Sequence, residues 1–134
     1  KGVEYFQKDN VMSAYISFYN FYREHPSQPD NLSYLAIVSF INKEFEMGLN
    51  FFNKILEYYP KSITGRINLA TALIQLERFG NARSILLNLK KDIHKDSLVD
   101  ELLGYSETRT KPAFDGFIDQ DYFISNQRDN LIER

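Results

Sequence analysis

The stretch NLSYLAIVSFINKEFEMGLNFFNKILEYYP, residues 31–60, decides the fold, because similar stretches stand on both sides of it at one fixed spacing. Small residues recur every 34 positions, at Ala14, Gly48 and Ala82. A period of this length, with two helices in each unit, is typical of a solenoid built by stacking helix pairs. The sequence therefore predicts an all-α repeat fold.

Two helices can be placed in each unit from their apolar spacing and from the residues that punctuate them. In the middle unit the first helix is expected from Pro29 to about Asn42, and the second from about Phe45 to Pro60. Proline, acid and amide residues at the start of the first helix suit the open N–H groups of a first turn. The other units predict helices at about residues 1–8, 11–25, 63–75 and 79–93.

The glycine of the middle unit predicts a close helix crossing. A glycine inside a helix costs about 1 kcal/mol relative to alanine, and the neighbouring units carry alanine at this register. Large apolar residues lie one turn further along the same face, where they can fill the space beyond the crossing. These residues are Phe18, Phe52 and Leu86.

In this register the chain resembles the tetratricopeptide repeat (TPR) family, whose 34-residue pattern has a Leu-Gly pair, a tyrosine, Ala-x-x-x-Phe and a closing proline. The matching residues are Gly2, Tyr5, Ala14, Phe18 and Pro26, then Leu35, Ala36, Gly48, Phe52 and Pro60, then Leu69, Ala70, Leu73, Ala82 and Leu86. Ser39 replaces the tyrosine in the second unit, and His94 replaces the proline in the third. The resemblance implies a right-handed α-solenoid of stacked antiparallel helix pairs.

Four units are expected, at about residues 1–28, 29–62, 63–96 and 97–134, the last a degenerate repeat or a cap. Its first helix can be capped by Asp96, and Pro112 can stand in the first turn of its second helix. The competing interpretation is a tail that docks through Phe114, Phe117, Ile118 and Tyr122. Because residue 1 falls inside a repeat, we interpret the chain as a fragment of a longer protein.

Composition argues against several classes of function. A formal net charge of −2 does not favour nucleic acid, and no apolar run approaches the roughly 20 residues of a membrane span. The chain has no cysteine and only two histidines, His25 and His94, and neither carries a metal-binding or catalytic motif. We expect no enzyme, no cofactor and no metal. The composition hints at a bacterial source, and the compartment stays open between the cytoplasm and the bacterial periplasm.

The resemblance also implies a concave groove, lined by the first helices of successive units, that holds a peptide or helix of a partner protein. By register its residues are Val3, Phe6, Gln7, Ser33, Ile37, Phe40, Ile41, Ile67, Asn68, Thr71, Ile74, Gln75, Tyr105 and Arg109. Family members that grip a C-terminal carboxylate use paired basic residues there, whereas Arg109 is the only basic residue at the corresponding register here. A carboxylate clamp is therefore not expected.

The sequence thus predicts a protein–protein interaction module for an apolar or amphipathic segment. The apolar anchors would be Ile37, Phe40, Ile67 and Ile74, while Asn68, Thr71 and Gln75 would bond to the backbone or polar edge of the segment. One alternative is an assembly scaffold, or a self-associating repeat segment without a free peptide ligand. Another is an array that regulates an enzyme domain elsewhere in a longer protein.

Overall fold

The computed structural model describes residues 11–25, 29–93, 95–114 and 116–118, with side chains throughout except at residues 11–15, 17–18 and 29–30. Within these ranges the secondary structure is entirely helical, and no strand occurs. The helices of the described residues are α1 (Val11–Glu24), α2 (Pro29–Ile41), α3 (Phe45–Tyr58), α4 (Ile63–Gln75), α5 (Phe79–Leu89) and α6 (Ser97–Thr108). The predicted all-α class is confirmed. The helix expected over residues 1–8 lies outside the described residues.

The chain divides into two compact units, residues 1–62 and 63–134. In the first unit, α1 packs against α2 and α2 packs against α3. In the second unit, α4 packs against α5, α5 against α6, and α4 also contacts α6. Each helix therefore packs against the one that follows it within its unit, as expected for consecutive helix pairs.

The turns after α2 and α4 have the same hydrogen-bond pattern. Lys43 and Glu77, 34 residues apart, both have a left-handed backbone, with φ of 65° and 59°. Their amides donate to carbonyls three residues earlier, and the amides of Glu44 and Arg78 donate to carbonyls five residues earlier. This pattern is the Schellman motif, which satisfies the last carbonyls of a helix. The 34-residue period of the sequence is therefore also present in the backbone geometry of these two turns.

Gly48 lies where α3 crosses α2 at close range. A Cβ atom at this position would stand 3.1 Å from the carbonyl oxygen of Ala36 and 3.3 Å from the backbone nitrogen of Phe40. The predicted close crossing is confirmed, because the glycine faces backbone atoms of the neighbouring helix. Phe52, one turn further along α3, is fully buried.

In the second unit Ala82 and Leu86 occupy the same register on α5, and both are fully buried. The guanidinium of Arg66 on α4 is nearly buried and pairs with Asp92 after α5 at 2.9 Å. Asp96 caps α6 as expected, since its Oδ1 accepts from the amides of Leu98 at 2.9 Å and Val99 at 3.1 Å. The Arg66–Asp92 pair joins α4 to the end of α5, and α4 carries most of the candidate site described below.

After α6 the chain does not form the second helix that the register predicts. Arg109 ends α6 with a left-handed backbone, φ 57°, and residues 110–114 and 116–118 are non-helical. The expectation of a helix that begins near Pro112 is therefore wrong over the described residues. The physical reason is that this segment bonds to side chains of α4, as described next, instead of to its own backbone.

Candidate functional site

Three polar residues of α4 share one face of the helix. Asn68, Thr71 and Gln75 stand at i, i+3 and i+7, a spacing that lines side chains up along one side. We call this surface the α4 face. The described residues that follow α6 lie against it, so its side chains contact another part of the same chain.

The amide of Asn68 pairs with both backbone groups of a single residue. Its Nδ2 donates to the carbonyl oxygen of Ile118 at 2.9 Å, and its Oδ1 accepts from the amide of Ile118 at 3.0 Å. Asn68 itself is only 1% exposed. A buried amide needs partners for its donor and its acceptor, and the backbone of Ile118 supplies one for each.

A second group of contacts lies at the C-terminal end of α4. Gln75 donates from Nε2 to the carbonyl oxygen of Pro112 at 3.1 Å. Lys111 donates from Nζ to the backbone carbonyl of Gln75 at 3.4 Å, and the same nitrogen is 3.7 Å from a carboxylate oxygen of Glu77. A cation at this end of a helix is favourable, because the last carbonyls carry partial negative charge.

We call residues 110–114 and 116–118 the docked segment. The docked segment runs antiparallel to α4, because Pro112 is held at the end of the helix and Ile118 is held nearer its start. Two turns of helix between Asn68 and Gln75 rise roughly 10 Å, whereas six fully extended residues span roughly 20 Å. The segment must therefore bend between its two attachments. Gly116 lies there with φ of 100°.

Two aromatic residues, one on each side of Gly116 in the sequence, contact each other at this bend. The rings of Phe114 and Phe117 are 5.2 Å apart in an edge-to-face arrangement. Phe117 is half-buried, whereas Phe114 is 42% exposed. The segment thus presents one aromatic side chain to solvent while its backbone is held at both ends.

The predicted site residues of α4 divide into two groups. Asn68 and Gln75 bond to backbone carbonyl or amide groups of this chain's own docked segment. The sequence predicts the same kind of bond for them, but to the backbone of a partner. Thr71 is half-buried, and its hydroxyl donates to the carbonyl of Ile67 one turn earlier in its own helix. Ile67 and Ile74 are each 1% exposed, which leaves no surface for a partner while the segment is docked.

Two further predicted residues lie on or just after α6. Tyr105 is half-buried, and its backbone carbonyl accepts from the amides of Arg109 and Thr110. The guanidinium carbon of Arg109 stands 5.3 Å from the centre of the Phe79 ring, a cation–π contact. Arg109 therefore contacts α5 of its own unit.

The predicted residues of the first unit differ in exposure. Ser33 and Ile37 are half-buried, and Ile41 is 40% exposed. Phe40 is 6% exposed, and its ring packs edge-to-face against Phe45 at 4.9 Å. Phe40 therefore takes part in the α2–α3 packing, and its role as an anchor for a partner stays a prediction. Val3, Phe6 and Gln7 lie outside the described residues.

Lys111, Pro112 and Gly116 take part in the docked segment, although the sequence does not predict this role for them. The signal was present in the competing interpretation of residues 97–134 as a docked tail, which names Ile118. A proline and a glycine four residues apart also favour a bent, non-helical chain. The repeat register does not distinguish a second helix from a docked segment, since the same apolar positions serve both structures.

The described part of the chain carries neither a metal site nor a membrane-spanning helix. No group of three histidine, cysteine, aspartate or glutamate residues comes together there. No helix among the described residues is both long and apolar enough to cross a bilayer. Asn68 and Gln75 on the α4 face bond to backbone groups of this chain's own residues after α6.

No family model matches the sequence, and no curated protein matches it. A solved structure described as the TPR2B-domain:pHsp70-complex of yeast Sti1 is similar to the chain, with a TM-score of 0.69 and 21% sequence identity. The match covers 81% of this chain and 91% of that one. Together with the all-helical secondary structure and the repeated turns, this likeness shows that the chain has a TPR-like helical-repeat fold.

Proposed function

We propose that the chain is a protein–protein interaction module whose α4 face binds an extended segment of a partner protein. One observation carries the proposal: the buried amide of Asn68 pairs with both the N–H and the C=O of Ile118. A side chain that bonds to both backbone groups of a residue recognises polypeptide without regard to the side chain at that position. Such recognition suits a receptor for peptide segments.

The partner segment would bond to Gln75 as well as to Asn68, and its side chains would pack on the apolar residues between them. The docked segment supports this arrangement, because its attachments at Pro112 and Ile118 use backbone carbonyl and amide groups. The proposed role is binding without a chemical step. Ser33, Ile37 and Ile41 of the first unit stay predictions as further contact residues.

The fold comparison supports the same class of function. The similar TPR2B domain of yeast Sti1 is described as being in a complex with pHsp70. That complex is evidence that this fold can serve protein binding, although one fold can carry several functions. The proposal for this chain therefore rests first on the contacts of Asn68.

Affinity capture with an Asn68 variant tests the proposal. The wild-type chain, Asn68→Ala and Asn88→Ala are immobilised and exposed to an extract of the source organism, and captured proteins are identified by mass spectrometry. Asn88 is an exposed asparagine on α5 and serves as the matched control. We expect Asn68→Ala to lose at least one protein that the wild type and Asn88→Ala both retain. Identical captured sets for all three chains would contradict the proposed role of Asn68.

A further inference from the structure

We infer that residues 110–114 and 116–118 belong to an internal ligand that occupies the α4 face, and that a partner binds by displacing them with a segment of the same chemistry. This inference rests on the proposed function and adds to it the chemistry of the partner and a regulating contact. The observation behind it is that the residues expected to hold a partner's backbone hold this chain's own backbone instead.

The docked segment is attached in a way that permits release. Asn68 holds the segment at Ile118, Gln75 holds it at Pro112, and Lys111 adds longer contacts at the same end. Neutral hydrogen bonds of this kind contribute modestly to stability, because water competes for the same groups. Phe114 stays 42% exposed, so the segment is not sealed into the core.

The segment competes with a partner through its high local concentration. A tethered ligand acts at an effective concentration in roughly the millimolar range for a short linker. A partner in solution then meets a site that is free for only a fraction of the time, and its apparent affinity is the intrinsic affinity multiplied by that fraction. Weakening the internal contact should consequently raise the affinity for a partner.

The contacts define the partner's chemistry. Its backbone N–H and C=O at one residue pair with Asn68, and an earlier carbonyl accepts from Gln75. A basic residue near that carbonyl faces the end of α4 and Glu77, as Lys111 does here. Between the two attachments the segment bends, which favours a glycine at the position of Gly116. The partner is thus a bent peptide segment with a basic residue before the bend.

A substitution at Gly116 should weaken the binding of the internal ligand without adding a side-chain clash. Its φ of 100° strains any residue with a Cβ atom, yet a Cβ built there meets no atom within 4 Å. Gly116→Ala therefore acts through the backbone of the segment alone. Gly80 is the matched control, since a Cβ at this exposed helical position also meets nothing within 4 Å and its φ is not positive.

The probe is a labelled synthetic peptide, TKPAFDGFI, with blocked ends, which copies residues 110–118. Its binding to the wild-type chain, Gly116→Ala, Gly80→Ala and Asn68→Ala is measured by fluorescence anisotropy. Strain at a positive φ is of order 1–3 kcal/mol, so Gly116→Ala should bind the peptide at least about fivefold more tightly than wild type. Gly80→Ala should match wild type, and Asn68→Ala should bind least.

Equal affinity of wild type and Gly116→Ala, or no binding to Gly116→Ala, would overturn the internal ligand. If capture of a partner still depended on Asn68 in that case, the proposed function would stand and only this inference would fail. A wild-type chain that forms a dimer which the peptide dissociates would also overturn it, because the segment would then dock on a second copy. A peptide with alanine in place of its glycine should bind Gly116→Ala more weakly than the original does.

Discussion

Gly48 permits the close crossing of α3 and α2 in the first unit. The backbone of α2 stands 3.1 Å and 3.3 Å from the place where a Cβ at Gly48 would be, and backbone atoms cannot move aside as a flexible side chain can. We predict that Gly48→Ala lowers the free energy of unfolding by about 1–2 kcal/mol, because the clash exceeds the gain of about 1 kcal/mol in helix propensity. Urea denaturation with comparison of midpoints and slopes measures this change.

Gly104→Ala is the control for Gly48→Ala. Gly104 also lies inside a helix, and a Cβ there meets no atom within 4 Å. Alanine should therefore raise stability by about 0.5–1 kcal/mol at this position. If both variants were stabilised alike, close contact would not be the reason for the glycine at residue 48.

Residue-scale prediction from the sequence succeeded where a position has one physical requirement. Residue 48 must be small, and residue 96 must accept hydrogen bonds. In each case the residue type in the sequence indicates the requirement. Prediction was less specific for α2, which is apolar on nearly every side, because periodicity cannot say which apolar residue faces a neighbouring helix. Only the structure shows that Phe40 packs on Phe45.

At the scale of elements, the turns after α2 and α4 each contain a non-glycine residue in the strained left-handed conformation. Lys43 has φ of 65° in the first of these turns, a conformation that glycine adopts without cost. We predict that Lys43→Gly raises the free energy of unfolding by about 0.5–1 kcal/mol, since relief of left-handed strain exceeds the added freedom of the unfolded chain. Thermal or urea unfolding measures the gain.

Lys43→Ala separates backbone strain from any role of the lysine side chain. Alanine keeps the left-handed strain, so this variant should show no gain in stability. A gain of the same size in Lys43→Ala and Lys43→Gly would mean that removal of the side chain, and not the backbone conformation, is responsible.

The segment after α6 shows the limit of a register argument. The 34-residue spacing places Gly116 opposite Ala82 and predicts a helix around it, whereas the structure has a bent segment on α4. A second helix and a docked segment can both cover the same apolar residues of the preceding helices, so the apolar pattern does not distinguish them. The deciding contact joins Asn68 to Ile118, residues that are 50 apart.

For the molecule as a whole, the repeat period was sufficient to predict the all-α, TPR-like fold, because every unit repeats the same local rules of packing and turn formation. The candidate site was predictable in part. Asn68 and Gln75 follow from register, but the identity of the chain that they bind does not. That identity depends on a contact between distant residues, which no local pattern records.

Hydrogen exchange at the amide of Ile118, followed by NMR, tests most directly whether the α4 face holds polypeptide backbone through Asn68. This amide donates to Oδ1 of Asn68 at 3.0 Å in the structure, so it should exchange at least about tenfold more slowly than in an unstructured chain. In Asn68→Ala the same amide should exchange at the unstructured rate while the amides of α4 stay protected. An unprotected Ile118 amide in the wild type, or equal protection of this amide in both chains, would contradict the binding of polypeptide backbone by Asn68.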